Sequence, residues 1–78
     1  MGRLSNEAKA ERARQTLIKT IASIDDLEPT LGGKWKVGML DYYVRRLAEL
    51  LLYQSGFKEP SQAGIEEMER GIRDSLLP

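Results

Sequence analysis

The chain has no cysteine and no histidine among its 78 residues. The first absence rules out disulfides and thiolate ligands, and it suits the reducing cytosol. The second removes the commonest transition-metal ligand and the usual general base at neutral pH. Aromatics are scarce, with one tryptophan, three tyrosines and one phenylalanine. The longest apolar run, Leu50-Leu51-Leu52-Tyr53, falls far below the ~20 residues of a spanning helix. The first twenty residues carry Arg3, Lys9, Arg12, Arg14 and Lys19 with no apolar stretch between them, unlike a secretory signal. A cytoplasmic protein that neither spans nor enters a membrane is expected.

Chemistry-bearing motifs are also missing. Gly32-Gly33-Lys34 lacks the spaced glycines, the following Ser or Thr and the preceding strand of a phosphate loop. Asp25, Asp26 and Glu28 lack the alternation and the turn glycine of a calcium loop. Glu66, Glu67 and Glu69 fall on the outward side of a helical stripe, where carboxylates are ordinarily solvated. No metal, no cofactor and no enzymatic activity are expected.

At this length the chain reads as one complete small domain whose core is thin, since a domain of about this size buries only ~60–65% of its extended surface. Without disulfides or a metal, oligomerisation or unaided helix packing must complete the fold. The net charge is +0, but unevenly spread. Residues 1–22 sum to +3, 23–31 to −3, 34–58 to +3 and 59–78 to −3. Such blocks either solvate surfaces and help helices choose neighbours, or display a basic face.

What is present is helical period, in three segments, with no sustained strand alternation. In the first, Ser5 or Asn6 can cap, Glu7 suits the positive end of the helix dipole, and Ala10, Ala13, Leu17, Ile21 and Ile24 form one stripe. Its front half offers only alanines as apolar grip, so the opening turns and residues 1–5 are expected to fray or to await a partner. Asp25 and Asp26 suit a helix C-terminus badly, Ser23 can cap a short extra turn, and Pro29 with Gly32-Gly33 marks a loop from Glu28 to Lys34. The second segment carries a wide apolar face of Leu40, Tyr43, Val44, Leu47, Leu50 and Leu51, and ends at Ser55-Gly56-Phe57, a glycine C-cap followed by an apolar residue. The third opens at Pro60 or Ser61 and repeats Ile65, Met68, Ile72 and Leu76. Gly64 and Gly71 interrupt it, and close approach of a neighbouring helix would explain them.

The spacing therefore predicts an all-α fold with helices at 6–23, 35–55 and 60–76. Short connections make consecutive helices antiparallel, giving a three-helix bundle or compact array that dimerisation can complete. The expected core is Leu17, Ile21, Leu40, Val44, Leu47, Leu51, Ile65, Met68 and Ile72.

One feature asks for a partner. Trp35, Met39, Tyr42, Arg46 and Tyr53 are spaced four, three, four and seven, a stripe ~140–160° away from the centre of the main apolar face at 100° per residue. Either the outer helices cover it, or it is presented outward as a docking site or dimer seam. Trp, Tyr, Met and Arg are enriched at interfaces, with Trp, Tyr and Arg prominent at hot spots. The expected function is a non-catalytic protein–protein interaction module, an adaptor, inhibitor or assembly subunit that self-associates or binds another protein. The alternative is nucleic-acid binding or regulation through Arg3, Lys9, Arg12, Arg14, Arg45 and Arg46. A sequence pI near 6.2 and the lack of a helix-turn-helix spacing weigh against it.

Overall fold

The computed structural model describes residues 5–24 and 28–77, and for 28–33 the backbone alone. The element order is α1 (Asn6–Ile24), α2 (Glu28–Gln54) and α3 (Gln62–Leu76), with no strand among the described residues.

Each helix end has a local cause. Ser5 caps α1, its hydroxyl accepting from the Ala8 amide at 3.1 Å and so satisfying one of the first-turn donors that lack an intrahelical acceptor. Near the other end stands Ser23. Its hydroxyl donates to the Thr20 carbonyl at 2.9 Å within α1. The expected turn through Leu27 lies outside the described residues. α2 stops where the sequence says it should. Gly56 takes a φ of 98°, the Phe57 amide donates to the Leu52 carbonyl at 2.9 Å, and the Gly56 amide donates to the Tyr53 carbonyl at 3.0 Å. This paired closure leaves few orphan carbonyls, and it needs a residue that tolerates the left-handed region. Ser61 then caps α3, its side chain accepting from the Gly64 amide at 3.1 Å.

The start of α2 corrects the sequence-based expectation. The loop expected over 28–34, with a helix beginning at 35, is instead the first two turns of α2. Proline stops a helix when it removes an interior hydrogen bond, but Pro29 is the second residue of this one. The first-turn amides have no intrahelical acceptor, so losing one there breaks nothing, and the fixed φ of proline suits helix. A breaker signal was in fact a start signal.

α2, at 27 residues, is ~40 Å long and spans the molecule, whose extents are 41 × 36 × 18 Å. α1 and α3 both pack on it and barely touch one another. Both run antiparallel to it. Asn6 and Ala10 of α1 lie beside Tyr53 and Gln54, while Gln62 and Arg73 of α3 reach Arg45 and Asp41. The arrangement is an open array with α2 as its spine. An 18 Å thickness is under two helix diameters, so one layer of side chains forms the core.

That layer is Ile21 and Ile24 from α1, Leu40, Val44, Leu47 and Ala48 from α2, and Ile65 and Ile72 from α3. Leu17, Leu51 and Met68, expected inside, are half-buried at its edge. The glycines of α3 do not mark helix contact. A Cβ at Gly71 would meet nothing within 4 Å, and one at Gly64 would meet only the Ser61 hydroxyl oxygen at 3.3 Å. Both glycines instead border a shallow groove that Leu52, Phe57 and Met68 also line.

Candidate partner-binding face

The exposed aromatics stand out because there are so few rings to spend. Trp35 is 69% exposed, Tyr42 59%, Tyr53 55% and Phe57 58%. Only Tyr43 packs against the core. A helix positions these side chains rigidly. Residues 35, 39, 42 and 46 recur at intervals of three and four and so share one side of α2.

The expected stripe divides in two. Its front part forms a groove of about 370 Å³ lined by Lys34, Trp35, Gly38, Met39, Tyr42 and Tyr43. No side chain described before Leu40 in α2 is fully buried, though Met39 is half-buried and packs against the core, so the groove stands at the core's edge. The Tyr42 and Tyr43 rings meet edge to face, with centroids 5.1 Å apart at 82°. This geometry suits the ring quadrupoles, and it ties the exposed ring to one anchored in the core.

The rear part lies ~16 Å further along the helix. There Arg46, Leu50, Tyr53, Phe57 and Lys58 border a second depression against Ala13 of α1. Alanine at positions 10 and 13 gives Tyr53 little to pack on, which is why α1 runs beside that ring without covering it. Gly38, Tyr43 and Phe57 were absent from the sequence-derived site. Phe57 in particular carries the pattern of a residue that closes a helix end, and its backbone does so while its ring stays half in solvent.

The cations of the alternative reading do not act as one group. Arg14 is held by Glu11, its Nε donating to Glu11 Oε2 at 2.8 Å, and its guanidinium also pairs with Glu11 Oε1. Hydrogen bonding from Arg14, then from Gln15, lowers the Glu11 carboxyl to about 2, and the pair raises Arg14 in turn. Arg45 meets Glu49 at 3.3 Å and Gln62 at 3.4 Å. Lys9, Arg12 and Arg46 are exposed. Arg3 lies outside the described residues. On α3, Glu66 and Glu67 are exposed and Glu69 is half-buried.

Among the described residues, no helix is long and apolar enough to cross a membrane, and no three Asp or Glu side chains are placed to hold a metal ion. Comparison with known proteins finds no matching family model, no similar curated protein and no similar solved structure.

Proposed function

We propose that this protein is a non-catalytic, cytoplasmic protein–protein interaction module that docks its partner on the aromatic face of α2. One observation carries the proposal. Most of the molecule's few aromatic rings stand more than half exposed, while every buried core residue among those described is aliphatic. Tyrosine and tryptophan supply large contact areas with only two side-chain torsions to freeze, so rings left in water are suited to binding. Trp35, Met39 and Tyr42 form the apolar centre, with Arg46 and Tyr53 extending it toward α1. Arg46 can stack on an aromatic ring or meet a partner carboxylate there.

The nucleic-acid reading draws less support, because Arg14 and Arg45 already bind carboxylates that phosphate would have to displace. Weak, steeply salt-dependent retention on heparin is its expected signature.

The test separates binding from folding. Replacing Tyr42→Ala together with Arg46→Ala should leave helicity and melting of the monomer nearly unchanged while weakening self-association or partner capture. If the pair unfolds the protein at concentrations where it is monomeric, those side chains belong to the core and the docking face is lost.

A further inference from the structure

The groove around Gly38 is self-complementary, and this identifies its occupant. We infer that the partner seated there is a second copy of this chain, its α2 antiparallel to the first across a two-fold axis between Gly38 and Met39, so that Trp35 of each copy lies over Tyr42 of the other. The inference rests on the proposal that this face binds protein, and adds the partner and the register.

Three features of the face fit. The first is register. Trp35 and Tyr42 are seven residues apart on one side of the helix and equidistant from the midpoint of Gly38 and Met39. An isologous contact requires that if one residue meets another, the converse also holds. Reversing the helix about that midpoint exchanges the two rings and places tryptophan against tyrosine twice.

The second is charge. Lys34, which lines the groove, and Asp41 are likewise seven apart and so share one side of the helix. Both are exposed, and Asp41 also binds Arg73 of α3. The same reversal brings each lysine near the aspartate of the other copy on the same flank, two residues out of exact register, about 3 Å along the axis and within reach of a lysine side chain. A parallel pairing in register would set lysine beside lysine, so the charges select the antiparallel form.

The third is the glycine. Gly38 lies within a helix, where alanine is more stable, and a Cβ there would meet nothing within 4 Å. Nothing inside the described fold needs the missing side chain. At a helix crossing the bare backbone allows close approach of a second helix.

Area sets the strength. At ~200–250 Å² for a fully exposed large aromatic ring, Trp35 and Tyr42 together leave ~300 Å² open per copy. With Met39, Lys34 and the backbone at Gly38, the total across the two-fold reaches roughly 1,000 Å², the low end for a specific interface. The dimer should accordingly be weak and reversible, with Kd from about 10 μM to a few hundred μM.

The full chain tests this directly, because it has no native cysteine. Sedimentation equilibrium of the unaltered protein should show a monomer–dimer equilibrium in that range. Trp35→Ala should raise Kd at least tenfold with the monomer's circular dichroism unchanged. Gly38→Ala should raise the monomer's melting temperature and yet weaken the dimer at least tenfold, a combination that damage to the fold does not produce. Under mild oxidation Met39→Cys, next to the axis, should form a disulfide dimer. Val37→Cys, exposed at 59% but off the stripe, should not. A chain that stays monomeric to about 1 mM, a Gly38→Ala dimer as tight as the original, or equal cross-linking at 37 and 39 overturns the inference. A strictly monomeric chain that still loses partner capture on the Tyr42 and Arg46 substitutions would leave the docking face standing and remove only the second copy.

Discussion

Leu47→Ala removes the centre of the core layer. Leu47 is 1% exposed and sits in the cluster that Ile21, Ile24, Ile65 and Ile72 complete from both outer helices. Trimming leucine to alanine forfeits about 2 kcal/mol of transfer free energy, at ~0.8 kcal/mol for each buried methylene. A cavity term is added wherever the walls fail to collapse, so measured losses run to about 5 kcal/mol. In a slab 18 Å thick the outer helices can move in partway, which places the expected loss near 3 kcal/mol. That is most of the ~3–5 kcal/mol a core of this size supplies. At ~4–8 °C per kcal/mol the melting temperature should fall by about 12–24 °C. Thermal and urea unfolding followed by circular dichroism at low concentration, where dimerisation contributes little, is the assay. A shift of only a degree or two would mean that Leu47 is not enclosed by both flanking helices. Tyr42→Ala makes the internal control. As a side chain left 59% exposed whose one ring contact is with Tyr43, its truncation should change monomer stability by no more than about 1 kcal/mol.

Other expectations follow from the helix ends and the ion pairs. Gly71→Ala, in open space on α3, should stabilise by up to about 1 kcal/mol, whereas Gly56→Ala, at a φ of 98°, should destabilise by about 1 kcal/mol. Opposite shifts in urea midpoint check both, and equal shifts would contradict the two placements. Ser61→Ala leaves the Gly64 amide without its acceptor and should cost about 1 kcal/mol, read as a lower unfolding midpoint. The Glu11 carboxyl, lowered from 4.5 to about 2 chiefly by Arg14, contributes stability that is present above pH 4.5 and lost as pH falls through 2. A carbon-detected titration of Glu11 should give that low value, and Arg14→Ala should return it toward 4.5.

How far the sequence led depended on whether a residue's role was local. The stop at Gly56-Phe57 and the cap at Ser61 were legible because each needs only its neighbours in the chain. The core stripes were legible for the same reason, since period alone assigns Ile21, Val44, Leu47, Ile65 and Ile72 to inner faces. Pro29 misled because proline breaks a helix interior and opens a helix start, and only the register of the first turn decides between them. Gly64 and Gly71 misled because helical period gives a side of the helix but not what stands opposite it. Whether α1 covers the Trp35 stripe was likewise undecidable from spacing, since it depends on where α1 crosses α2. Phe57 escaped notice as a surface residue because its backbone role was sufficient to explain it.

The central claim, that the aromatic face of α2 is open in the free chain and closes on binding, has a built-in reporter. Trp35 is the only tryptophan, and it is 69% exposed. Its fluorescence, measured with a soluble quencher across a dilution series, should be red-shifted and readily quenched at low concentration. It should move to the blue and become protected as concentration rises. Tyr42→Ala should shift that transition to higher concentration. Blue, quencher-resistant emission that persists undiminished at dilutions where sedimentation finds only monomer would show that the chain's own helices bury the indole, and the account of α2 as a binding face would be contradicted.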